Sequence, residues 1–69
     1  MPESITITLN GEPATVPAGS SVSDLIASRN LKPDQVAVEV NRRLRRTADY
    51  DRPLEAGDAV ELVTFVGGG

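Results

Sequence analysis

The chain contains no cysteine, no histidine and no tryptophan. Without cysteine there is no disulfide, thiolate nucleophile or thiolate metal ligand, and without histidine there is neither an ordinary imidazole base nor an imidazole ligand. Most enzyme mechanisms are thereby excluded. Aromatic residues are scarce: Tyr50 and Phe65 are the whole complement. Lys32 is the only lysine, so conjugation of the chain onto itself has one side-chain site apart from the N-terminus. No apolar run approaches the 18 or so residues of a membrane helix, and the first residues lack the basic region and apolar core of a signal peptide. These absences predict a cytoplasmic, soluble protein with no membrane partner.

What is present fits one small domain. A chain of 69 residues buries only about 60% of the surface its unfolded form exposes, so its core must be small and a deep active site has no room. Seven basic and ten acidic side chains give a net charge of −3, which favours solubility and disfavours general nucleic-acid binding.

Ser4-Ile5-Thr6-Ile7-Thr8-Leu9 alternates polar and apolar residues with β-branched types dominating, the pattern of a half-buried strand with Ile5, Ile7 and Leu9 inward. Asn10-Gly11 suits a tight type I′ hairpin, in which both central residues take positive φ. The return strand runs from Glu12 to Pro17 with Ala14 and Val16 inward. Pro13 and Pro17 cannot donate to a ladder and point to a sheet edge. After a turn at Ala18-Gly19, Ser21 is placed to cap a helix with Asp24 three residues on, an acidic variant of the capping box. Val22, Leu25 and Ile26 form its apolar stripe. Asn30 suits the left-handed C-terminal position, and Pro33 is expected to stop the helix from restarting.

Val36-Ala37-Val38-Glu39-Val40 predicts a central strand, followed by a short strand at Arg43-Leu44-Arg45-Arg46 in which Leu44 is the only apolar contact available. Thr47 to Pro53 reads as polar and irregular, with Tyr50 over the edge of the core and Leu54 pinning the loop. A turn at Gly57-Asp58 leads to a final strand from Ala59 to Val66, where Val60, Leu62 and Thr64 alternate with Glu61, Val63 and Phe65.

That strand runs into Gly67-Gly68-Gly69. Three residues without side chains have nothing to bury, so the sequence predicts a β domain over 1–66 and a thin glycine tail over 67–69 that carries the carboxylate of Gly69. Extended, it reaches at most about 10 Å, enough to enter a channel too narrow for a Cβ atom. A frayed end or a linker is the plainer reading of the same residues. If Val60 and Leu62 fill the core, Val63 and Phe65 point the other way and, with Val66, form an apolar patch at the base of the tail. The alternative is that Phe65 folds over the sheet edge as core, and its burial decides between the two.

Two charged clusters carry weaker signals. Arg42, Arg43, Arg45 and Arg46 form a basic run without interleaved aromatics, which fits a solvated face or a rim contact with an acidic partner better than nucleic acid. Asp49, Asp51, Glu55 and Asp58 lack the spacing, central glycine and distal glutamate of a calcium loop and read as turn formers, so no metal site is expected.

Two strands, a helix and three further strands predict an α+β, ubiquitin-like β-grasp: a mixed sheet of four or five strands with one main helix across it. Leu9-Asn10-Gly11-Glu12, Val36 to Asn41, and above all Leu54-Glu55-Ala56-Gly57-Asp58-Ala59-Val60-Glu61-Leu62-Val63 continuing to Phe65-Val66-Gly67-Gly68-Gly69 resemble the ubiquitin-like sulfur carriers, most closely the ThiS family of thiazole biosynthesis. One departure is Asn41-Arg42-Arg43-Leu44-Arg45-Arg46, where the family often has an Asn-Gly turn and a Val-Pro-Arg stretch.

The resemblance implies a carrier that is not itself an enzyme and binds no cofactor. A ThiF-like adenylyltransferase, using ATP and Mg²⁺, would activate the carboxylate of Gly69 as an acyl-adenylate. A sulfur donor such as a cysteine desulfurase would convert it to a thiocarboxylate, and a ThiG-like thiazole synthase would consume it for thiamine. Gly67 and Gly68 would thread both active sites, and Val63, Phe65 and Val66 would meet the partners. The small subunit of molybdopterin synthase, a protein modifier attached through Gly69, and an inert interaction module are the alternatives.

Overall fold

In the computed structural model, which describes residues 3–65, β1 (Ser4–Leu9) and β2 (Glu12–Pro17) form the first hairpin. Asn10 and Gly11 hold its turn at φ of 50° and 85°, the left-handed pair that matches the twist of the flanking strands. Helix α1 (Val22–Ser28) follows, then β3 (Val36–Val40), the short β4 (Arg43–Arg45) and β5 (Ala59–Thr64). The strand order is β2-β1-β5-β3-β4. β5 lies parallel to β1 and antiparallel to β3, so the sheet is mixed. This five-stranded sheet with one helix is the β-grasp that the sequence predicts.

The capping box forms as the serine and aspartate suggest. Ser21 Oγ accepts from the Asp24 backbone N–H at 3.2 Å, and Asp24 Oδ2 accepts from the Ser21 N–H at 2.9 Å. At the other end the Leu31 N–H donates to Ile26 O and the Asn30 N–H to Ala27 O, with Asn30 at φ 59°. That pairing turns the chain out of the helix and brings Leu31 back against the core. Val22, Leu25 and Ile26 are buried against the inner faces of β1, β3 and β5, where Ile7, Leu9, Val36, Val38, Val40 and Val60 meet them. Each such side chain contributes roughly 1.5–3 kcal/mol by leaving water.

Four details differ from the sequence reading. Pro33 does not merely block a helix: it opens a short 3₁₀ turn, Pro33–Gln35, because its fixed φ suits a first helical position and Gln35 Oε1 accepts from the Lys32 N–H at 2.9 Å. The irregular stretch after β4 contains a second 3₁₀ turn, Thr47–Asp49, which carries Tyr50 into the core rather than over its edge. Its backbone is tied to the helix start, Tyr50 O accepting from the Ser23 N–H at 2.9 Å and Ser20 O from the Leu54 N–H at 2.7 Å. Leu44 makes no core contact, for reasons given below. β5 ends at Thr64, which is exposed, although the Phe65 N–H still donates to Gln35 O at 2.8 Å.

Candidate docking face and tail

The antiparallel register fixes which side chains share the outer face of the sheet, away from α1. Directly opposed residues point the same way, and β3 pairs Ala37 with Val63 and Glu39 with Glu61 on β5. The turn at Asn41-Arg42 has two residues, so β4 returns with Leu44 opposite Glu39. Leu44, Glu39 and Glu61 therefore form a row across three strands, with Ala37 and Val63 in the next row and Phe65 continuing the alternation. The inner positions Val36, Val38 and Val40 are buried, as is Val60.

The face exposes large apolar side chains beside the carboxylates of Glu39 and Glu61. Leu44 is 71% exposed, Val63 58% and Phe65 64%. Phe65 is thus not a core residue, and Val63 and Phe65 stand together as the alternation requires. The sequence reading missed Leu44 as a neighbour of this group. A signal was available: a two-residue turn at Asn41-Arg42 dictates the pairing of 39 with 44, and that pairing sends Leu44 outward. The other half of the outer face, from β1 and β2, carries Ser4, Thr6, Thr8, Pro13 and Thr15, all exposed and uncharged.

Of the other residues the sequence singled out for the site, Val66, Gly67, Gly68 and Gly69 lie outside the described residues, as does the division between domain and tail. The charged clusters separate by role. Arg43, Arg45, Arg46 and Arg52 line a surface groove of about 420 Å³ at the β4 edge with Asp49, whose carbonyl accepts from Arg45 Nη1 at 3.4 Å. Of the acidic residues of the loop, Asp58 closes a turn, its Oδ2 accepting from the Glu55 N–H at 2.8 Å, whereas Asp51 ties the loop to the start of α1, its Oδ1 accepting from Ser23 Oγ at 2.8 Å. Among the described residues no group of three or more His, Cys, Asp or Glu is placed to hold a metal ion, and no helix is long and apolar enough to cross a membrane. A second groove, between the end of β2 and α1, is lined chiefly by Val16, Pro17, Ala18 and Leu25. Its Asp24 is already committed to the helix cap.

Comparison with known proteins reaches the same segment. The model of the ThiS family matches residues 7–69. A thiazole synthase of Magnetococcus marinus is 38% identical over 64 residues, a match that takes in 91% of this chain and 20% of that protein. The chain therefore spans about a fifth of the length of that relative. The crystal structure of the thiamine biosynthesis protein ThiS from Geobacter metallireducens superposes with a TM-score of 0.70 at 33% identity, covering 94% of this chain and 100% of that one. A solution structure of a thiamine biosynthesis protein from the same organism gives 0.74 at 32% identity, over 94% and 88% of the two chains.

Proposed function

The chain belongs to the ThiS family, and from that premise we propose that it is a sulfur carrier whose Gly69 carboxylate is adenylylated and then exchanged for a thiocarboxylate that supplies sulfur to thiazole synthesis for thiamine. The family and its solved relatives support the carrier role. The observation that carries the proposal is the extent of the family match, which runs through Gly67, Gly68 and Gly69.

A carboxylate is a poor electrophile, and its oxygen leaves only after activation. In the first step a carboxylate oxygen of Gly69 attacks the α-phosphorus of ATP, pyrophosphate departs, and an acyl-adenylate forms. The ThiF-like adenylyltransferase supplies the basic groups and Mg²⁺ that neutralise the phosphates, since the tail offers only backbone N–H groups. In the second step the terminal sulfur of a persulfide, provided by a donor such as a cysteine desulfurase, attacks the acyl carbon and AMP leaves. A thiol then cleaves the S–S bond, donating two electrons and releasing the thiocarboxylate. In both steps the chain is the substrate and contributes no catalytic group. Gly67 and Gly68 allow the backbone to enter each active site in turn, and Val63, Phe65 and Val66 meet the enzyme surface around the entrance. ATP and persulfide are cytoplasmic supplies, and the carrier works there.

The likeness to part of a thiazole synthase supports thiazole synthase, rather than molybdopterin synthase, as the acceptor. Incubating the chain with ATP, Mg²⁺, the cognate adenylyltransferase and sulfide, followed by intact mass measurement, tests the proposal. The expected product has one sulfur in place of one oxygen, confined to the peptide that ends at Gly69. An unchanged mass overturns it.

A further inference from the structure

The arginines that the carrier role leaves unused gather at one edge of the sheet. In a chain whose net charge is −3, the groove at β4 is lined by Arg43, Arg45, Arg46 and Arg52 with Asp49 as its one acidic lining residue, so four guanidinium groups against one carboxylate leave it at +3. Arg45 is half-buried and its Nη1 donates to the Asp49 carbonyl, which positions that guanidinium without neutralising it. The groove lies along a free strand, since β4 pairs with β3 on one side and ends the sheet order. The Asn41 N–H donates to Ala59 O, so Asn41 and, counting by twos, Glu39 direct their backbone groups to β5, while Val38 and Val40 direct theirs to Arg45 and Arg43. The N–H and C=O of Leu44, between those two arginines, therefore point away from the sheet. Its exposed side chain stands on the outer face, and those of Arg43 and Arg45, opposite buried Val40 and Val38, lie on the other side.

We propose that β4 is an acceptor edge for an extended acidic segment of another protein, in which one apolar residue lies beside Leu44 and the carboxylates on either side of it reach Arg43 and Arg45. A strand edge with unpaired backbone groups accepts a further strand, and charge on that edge decides which one. Two copies of this edge would set arginine against arginine, so self-pairing is rejected. An acidic segment meets complementary charge instead. Its backbone bonds the N–H and C=O of Leu44, its carboxylates take the planar guanidinium groups of Arg43 and Arg45 in bidentate fashion, and its alternation matches theirs. Arg46 and Arg52 extend the positive field along the groove and steer the encounter. No aromatic residue lines the groove, so it lacks the stacking platform of a single-stranded nucleic-acid site. The edge also stands apart from the tail: Val36 pairs with Thr64, whereas Arg43 pairs with Val40, about 13 Å further along β3. A partner held at β4 therefore leaves the end of β5 uncovered for a second protein.

The test uses the ¹⁵N-labelled full chain titrated with an acetylated and amidated peptide of three glutamates alternating with two valines. Amide signals of Arg43, Leu44, Arg45 and Arg46 are expected to shift, with slower hydrogen exchange at Leu44 and no change in β1, β2 or α1. In the double variant Arg43→Gln/Arg45→Gln the affinity should fall about tenfold or more, while unaltered β1 and β2 signals show that the fold is kept. The same peptide N-methylated at both valines cannot donate to Leu44 O and should lose affinity to a similar degree. Absence of binding at millimolar peptide, shifts centred on β2 or α1, equal affinity for the methylated peptide or the double variant, or the same protection of Leu44 by inorganic pyrophosphate overturns the proposal, the last because it would mark a plain anion site. Sulfuration at Gly69, read by mass, is independent of every one of these outcomes.

Discussion

Asn10 and Asn41 occupy the same position in two different hairpin turns, and each turns its side-chain carbonyl onto the strand that lies between the hairpins. Asn10 Oδ1 accepts from the Leu62 N–H at 2.8 Å and Asn41 Oδ1 from the Ala59 N–H at 3.0 Å, while their own N–H groups donate to Val60 O and Ala59 O. The β1 ladder is thereby prolonged by a side chain past the end of β1, and the start of β5 is clasped from the side of β3. Removing either acceptor deprives a strand N–H of its protein partner at an exposed position, so Asn10→Ala and Asn41→Ala should each lower stability by about 0.5–1.5 kcal/mol. Asn10→Asp keeps the acceptor and tolerates positive φ, and it should lose less. Urea unfolding of the three variants against the native chain checks the order.

Arg42 sits at φ 69° beside Asn41 at 54°. The turn needs two left-handed residues, and a long side chain pays for that conformation where glycine would not. Arg42→Gly should therefore raise stability by about 1 kcal/mol, visible as a higher unfolding midpoint. A fall would mean that the Arg42 side chain contributes contacts worth more than the strain.

Ser21 offers both halves of a reciprocal cap with Asp24. Ser21→Ala should cost about 1 kcal/mol, and Ser21→Thr much less. Hydrogen exchange of the first-turn amides of α1 should accelerate in the alanine variant before any global change is seen.

Val38, within the sheet, and Phe65, just past the end of β5, are two apolar residues with opposite roles. Val38 is fully buried, and Val38→Ala should lower stability by about 2 kcal/mol or more. Phe65→Ser should change stability by less than about 0.5 kcal/mol, as for other exposed positions, yet slow sulfuration by the partner enzymes. A large loss of stability with native sulfuration kinetics would remove Phe65 from the docking face.

Gly68→Ala and Gly69→Ala should leave the unfolding curve unchanged and slow adenylylation by about tenfold or more, equivalent to about 1.4 kcal/mol in the barrier. Pyrophosphate release with the cognate adenylyltransferase measures this. Normal rates in both variants would count against a channel that excludes side chains.

Much of this architecture was legible because local chemistry and global fold agree. The alternation of Ile5, Ile7 and Leu9, the Asn10-Gly11 pair, the Ser21 and Asp24 spacing and the valines at 36, 38 and 40 each specify their element without help from elsewhere. The insertion of β5 between β1 and β3 was less accessible. Parallel pairing of Leu9 with Val60 joins residues remote in sequence and leaves no periodic trace. The clasping by Asn10 and Asn41 depends on that insertion and was hidden with it. The depth of Tyr50 is set by a 3₁₀ turn over Thr47, Ala48 and Asp49 that leaves no hydrophobic pattern in the sequence. At the candidate face, Val63 and Phe65 could be read from alternation alone and Leu44 from the two-residue turn at Asn41-Arg42, whereas the facing of Glu39 and Glu61 required the register of β5 against β3.

The central place of β5 bears on biosynthesis. The strand made last among the five is flanked on both sides by strands made earlier, so the sheet cannot close while translation is still short of residue 59, and contacts distant in sequence must wait for it. A nascent or prematurely ended chain would expose two separate hairpins to proteolysis instead of a finished surface. Activating enzymes would then encounter the assembled domain only in chains that already hold the segment leading to the glycines, and abortive translation products would never compete for them.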